Sequence, residues 1–137
     1  MADRRDVTGV WYGSWHSSHR HVAPGNFIAT LDELAGSVSG SITERDPKGG
    51  GTIRRADVQG DRNGTKIHFV KQYDGSGGLT HAVVYSGQVN GEGTEIAGKW
   101  RLPGHVGSFA MQREKFDIEE LEEEERVEEP VDALPLR

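Results

Sequence analysis

The chain contains no cysteine. A disulfide framework and thiolate metal sites are therefore excluded. No apolar run approaches the roughly 18 residues of a membrane-spanning helix. The opening Met1-Ala2-Asp3-Arg4-Arg5-Asp6 is followed by Val, Thr and Gly rather than an apolar signal core, which sets the expectation of a cytoplasmic protein with no membrane partner. Helix-length inserts between turn signals are missing too. So are a Gly-x-Ser-x-Gly elbow, a phosphate-cradling loop and a His-Glu-x-x-His pair, and no catalytic residues are assigned. His68, His81 and His105 with scattered acids could form an acid–base pair, as almost any sequence could. Nothing in the local sequence specifies an axial haem ligand, and no cofactor is expected.

A basic excess is also absent from the body of the chain. The net charge of −6 is unevenly distributed. Residues 117–137 carry ten acidic and two basic residues, a balance of −8, and residues 1–116 carry twelve acidic and fourteen basic, a balance of +2. A nucleic-acid partner is not expected for such a body. The division is a barrel domain over 1–116 and an acidic C-terminal extension over 117–137, partly helical or disordered. In that extension Ile118 and Leu121 could pin one turn against the body, and Pro130 would stop a helix. It reads as a solvated extension or as a docking tail for a basic partner.

What is present is glycine and alternation. Nineteen glycines punctuate short runs of period two, as expected for an all-β chain. Strand one runs from about Thr8 to Trp15, with Gly9, Trp11, Gly13 and Trp15 on one parity and hence one face. Further strands are expected over 26–34, 37–44, 52–59, 65–73, 79–89, 94–102 and 106–114. Asp61-Arg62-Asn63-Gly64 reads as a hairpin turn. Ile53 and Val58 differ in parity, which suggests a bulge in strand four. Eight consecutive strands with short loops predict an antiparallel up-and-down barrel, since eight strands close around packed side chains or one small ligand. A Greek-key sandwich is the rival, and its long return connection is not found.

A register follows from closure. Setting Trp15 opposite Phe109 places Gly13 opposite Met111 and the Arg113 guanidinium beside the Trp11 ring. A two-residue turn at Glu92-Gly93 places Val89 opposite Ile96 and Tyr85 opposite Trp100.

Gly9-Val10-Trp11 with Arg113 near the end of the last strand resembles the Gly-x-Trp…Arg pattern of the calycin superfamily, which includes lipocalins, fatty-acid-binding proteins and avidins. Tyr85-Ser86-Gly87-Gln88-Val89 followed by Gly98-Lys99-Trp100 is similar in rhythm to avidins. The chain also resembles small bacterial barrel domains. The resemblance covers residues 8–114 and implies that Trp11 plugs the closed end of the barrel with Arg113 packed across it. Lipocalin disulfides and the helical lid of fatty-acid-binding proteins are missing, and no biotin contacts are carried over.

The expected ligand-binding face is Trp15, Phe69, Lys71, Tyr73, His81, Tyr85, Trp100 and Phe109, with inward glycines at 13, 40, 87 and 98. Either those glycines leave room for a ligand, or they are coiling points in a filled core. Lys71 either meets an anionic or carbonyl-bearing ligand, with Glu44 as a candidate partner, or snorkels to the mouth. His16, His19 and His21 could bind a metal by composition, but they match no recognised spacing. Three functions follow: non-enzymatic binding of a small, partly apolar molecule; a packed barrel acting as an interaction or homo-oligomer module; and a lipocalin-like enzyme on a small hydrophobic substrate.

Overall fold

The structure is a computed structural model that describes residues 3–46 and 49–114. The expected acidic extension at 117–137 lies outside the described residues. Eight strands form one closed antiparallel barrel in chain order: β1 Gly9–Ser17, β2 Gly25–Leu34, β3 Ser37–Arg45, β4 Ile53–Asn63, β5 Lys66–Tyr73, β6 Ala82–Val89, β7 Glu95–Leu102 and β8 His105–Gln112. A 3-10 turn at Ser76–Gly78 lies between β5 and β6. Among the described residues no helix is long and apolar enough to cross a membrane.

The alternating pattern dictates which face is buried. In β2, Phe27, Ala29 and Leu31 are buried while Ile28 and Thr30 between them are exposed. In β5 the buried set is Ile67, Phe69, Lys71 and Tyr73. Closure pairs Trp15 with Phe109 and Gly13 with Met111. Val89 faces Ile96 and Tyr85 faces Trp100, the expected pairs, although the connection is a loop over Asn90–Thr94 rather than a two-residue turn. The Asn90 side-chain carbonyl accepts from the backbone N–H groups of Thr94 and Glu95, and this fixes the longer loop without shifting the register.

Strand four departs from expectation in two ways. Its pairing runs unbroken with β3 from Ile53 to Asp61 and with β5 from Ala56 to Asn63, so there is no bulge. Ile53 simply faces outward at 39% exposure, and Arg54, Ala56, Val58, Gly60 and Arg62 take the inward parity. The strand also continues through Asn63, and the turn falls on Gly64 (φ +63°) and Thr65. Arg62 is thereby a strand residue aimed at the floor. Its guanidinium donates from Nε to Glu33 at 2.6 Å and from Nη2 to Glu33 and Asp3, both at 2.9 Å.

One end of the barrel is sealed. Trp11 is fully buried, and its indole N–H donates to the Val7 carbonyl at 2.9 Å. The Arg113 guanidinium lies 4.3 Å from the centre of the Trp11 ring. It also donates to the carbonyls of Gly93, Thr8 and Asp6 at 2.8, 2.6 and 2.5 Å. Desolvation lowers the Arg113 pKa from its ordinary value, and these carbonyls and the indole face supply the missing solvation.

Candidate functional site

The opposite end is the mouth, bounded by the loops after β1, β3, β5 and β7. Inward parity brings chemically distinct side chains there. Glu44 is the last inward residue of β3. Register sets it beside Phe27 of β2 and Arg54 of β4. Lys71 and Tyr73 project from β5, and the short Ala56 side chain lies between Tyr73 and Ile42 on the intervening strand. Across that gap the Lys71 Nζ reaches the Glu44 Oε2 at 3.4 Å, and the Tyr73 hydroxyl donates to Oε1. Arg54 lies 3.7 Å from the same carboxylate and pairs with Asp46 at 3.0 Å. Lys71 and Glu44 are both buried, with side chains 3% and 1% exposed. Lys71 therefore does not snorkel. It is held inside by its carboxylate and by the faces of Tyr73 and Tyr85, whose ring centres lie 4.6 and 5.3 Å from Nζ.

Burial dominates the electrostatics of this cluster. Desolvation pushes the Lys71 ammonium below its usual range, and Glu44 opposes it. Desolvation, then the Glu44 charge, pushes both the Tyr73 and the Tyr85 phenols well above theirs. Both tyrosines remain neutral, Tyr73 as a donor to Glu44, and Glu44 has two of its lone pairs occupied.

Below the cluster the barrel is filled. The Phe69 and Tyr85 rings stack at 4.9 Å with an 8° interplanar angle, and Phe109 packs edge-on to both at 6.3 and 4.9 Å. None of the three is more than 3% exposed. The glycine positions explain how so many rings fit. A side chain on Gly13 would strike the Phe27 ring, one on Gly25 or Gly107 would strike the Trp15 or Trp100 ring, and one on Gly87 would strike Phe109. At Gly40 and Gly98 an added Cβ would meet the backbone of the neighbouring strand. Space left by glycine is thus taken by a neighbouring strand's ring or backbone, which favours the packed alternative.

The mouth rings differ in how they are held. Trp100 is anchored, its indole N–H donating to the Ser108 carbonyl at 3.1 Å. Trp15 packs edge-on against it, with ring centres 6.1 Å apart. Trp15 is only half-buried, yet its indole nitrogen is shielded from solvent and has no hydrogen-bond partner among the described residues. His81 precedes β6 and is exposed, its ring 4.8 Å from Tyr73. Desolvation first, then the Lys71 charge, lowers its pKa.

The structure thus places Phe69, Lys71, Tyr73, Tyr85, Trp100 and Phe109 in the interior, Trp15 at its rim and His81 just outside. Glu44 was expected only as a partner for Lys71; Arg54, facing the same carboxylate, was not expected at all. The parity of Arg54 with Val58 carried the signal. The three loop histidines do not converge. His16 faces outward on β1, His21 is exposed in the loop, and His19 instead approaches His105 with ring centres 4.9 Å apart. Among the described residues no group of three or more His, Cys, Asp or Glu could hold a metal ion.

Two concavities lie on the outer surface. One crosses β8, β1, β2, β3 and the start of β4, with a volume of about 860 Å³. The other, about 570 Å³, lies beside the β7–β8 connection.

No family model matches the chain, and no curated protein matches it. Among solved structures it is similar to one described as the de novo design of a fluorescence-activating β-barrel, at 13% identity and a TM-score of 0.57, covering 83% of this chain and all of that one. At that identity the likeness shows the fold, an eight-stranded antiparallel barrel.

Proposed function

We propose that the protein binds a small, partly apolar molecule at the mouth of the barrel, in a calycin-like manner and without chemical transformation. The observation that carries this reading is the buried Glu44–Lys71–Tyr73 cluster at the mouth end of the barrel, the end that also carries the Trp15–Trp100 pair. A buried ion pair contributes little net stability compared with apolar side chains of similar volume, so its presence there calls for another role. The unpaired Trp15 indole N–H supports the same reading. A ligand acceptor would satisfy it, and moving this ring off Gly25 breaks no hydrogen bond among the described residues. The filled interior favours a ligand seated at the rim over one enclosed beneath Phe69 and Tyr85. The Gly-x-Trp…Arg resemblance is supported by the Arg113–Trp11 geometry.

Native mass spectrometry of the purified protein, set against its denatured mass, tests occupancy. A retained small molecule whose removal changes tryptophan fluorescence, and whose binding Trp15→Ala weakens, is the expected result. A fluorescence titration of a small-molecule collection that leaves all three tryptophans unperturbed would overturn it.

A further inference from the structure

The larger outer concavity is lined mainly by residues that face away from the core, together with the inward-parity Gly13, Gly25, Phe27 and Glu44. Tyr12 of β1 and Ile28 of β2 are 62% and 47% exposed, and Ile53 of β4 closes the far side. Ala110 and Gln112 of β8 form the near side. Of the charged residues in the lining, Glu44 is paired with Lys71 at 3.4 Å and Asp46 with Arg54 at 3.0 Å, whereas Arg45 of β3 is exposed and forms no ion pair among the described residues. Large apolar side chains grouped along one outward face of a sheet, with a cation among them, mark a contact surface rather than ordinary scatter.

We propose that this groove receives the chain's own C-terminal segment, through Phe116, Ile118 and Leu121 with their acidic neighbours. The chain passes from β8 into this segment at Gln112, itself a groove residue, and Phe116 follows four positions later. Such a short tether gives an effective concentration on the order of millimolar, so weak contacts suffice. The dimensions agree. The groove crosses five strands, or four spacings of about 4.8 Å, roughly 19 Å in all. Six extended residues, Phe116 to Leu121, span about 20 Å at about 3.3 Å each. The chemistry agrees too: the segment interleaves apolar residues with acid in Phe116-Asp117-Ile118-Glu119-Glu120-Leu121, to meet the groove's outward Tyr12, Ile28 and Ile53 and its Arg45.

Because the full chain has no cysteine, a single nitroxide can be placed in the segment by Glu125→Cys. Paramagnetic broadening of amide signals then reads the location of the segment in the intact protein. The expected result is selective intensity loss at Tyr12, Ile28, Thr43 and Ala110, reversed by Arg45→Glu, and reversed as well by combined Phe116→Ser, Ile118→Ser and Leu121→Ser, which leaves every barrel residue unchanged. No selective broadening, broadening on another face, or persistence in the triple variant would overturn the proposal. So would broadening seen only between labelled and unlabelled copies, which would assign the groove to a second molecule.

Discussion

Substituting the buried pair at the mouth separates its cost from its use. Lys71→Met leaves the Glu44 carboxylate, 1% exposed, with the Tyr73 hydroxyl and an Arg54 at 3.7 Å that is already engaged by Asp46. Stranding a buried charge in this way costs about 3–5 kcal/mol. For a domain of this size that corresponds to a fall in Tm of about 12–20 °C, at about 4 °C per kcal/mol. Glu44→Gln strands Lys71 instead, but an ammonium already pushed toward neutrality can release its proton, and the glutamine carbonyl still accepts from Tyr73. Its cost is therefore smaller, about 1–3 kcal/mol. In the double variant no charge is left unpaired, and stability returns to within about 1 kcal/mol of the parent. Urea unfolding followed by tryptophan fluorescence measures all three, and the cycle yields a coupling energy of several kcal/mol. A double variant destabilised by the sum of the two singles would refute the reasoning, because the pair would then be two independent packing elements.

Other outcomes follow from the same geometry. Trp11→Ala removes a fully buried ring, its hydrogen bond to Val7 and the Arg113 contact, and lowers stability by about 3–5 kcal/mol in chemical denaturation. Trp15→Ala, at a half-buried rim position, lowers it less and instead changes ligand-dependent fluorescence. Gly107→Ala forces a Cβ into the Trp100 ring and the His16 carbonyl and costs about 1–3 kcal/mol, with loss of the Trp15–Trp100 exciton signal in circular dichroism. The folded His81 imidazole takes up its proton below the ordinary value of 6.5, so the unfolded chain protonates first. The His81 contribution to stability is present above pH 6.5 and declines as pH falls through that value. An NMR titration should give a depressed midpoint that Lys71→Met moves part of the way back, since desolvation is the larger cause.

Parity carried much of this architecture. The alignment of Trp15 with Phe109 follows from closure and that of Tyr85 with Trp100 from a turn centred on Glu92-Gly93, and parity supports both, because a one-residue slip would turn each tryptophan to the opposite face from its partner. The Glu44–Lys71 pair was accessible for the same reason: two inward charges of opposite sign on the open half of the barrel must find each other. What parity could not convey was occupancy. Whether Gly13, Gly25 or Gly107 marks a void depends on which ring leans across from the next strand, and alternation along one strand does not contain that information. Strand four differs for a related reason: the unlike parity of Ile53 and Val58 suggests a bulge, whereas the strand is regular, Ile53 faces outward, and Arg54 and Arg62 hold inward positions. Their justification lies in Glu44 and Glu33, ten and twenty-nine residues away in sequence.

The order of strands also bears on how the barrel is assembled. Seven of its eight pairings join neighbours in sequence, and only β1 with β8 joins distant segments. Hairpins can form early, each with a short loop to close, whereas the last seam must wait for the rest of the sheet to curl round. Arg113 stitches that seam, reaching Thr8 and Asp6 across 105 and 107 residues. Contacts made so late are absent from the transition state, so weakening them leaves the folding rate nearly unchanged and hastens unfolding. Arg113 is in this sense the clasp that sets how long the closed barrel lasts.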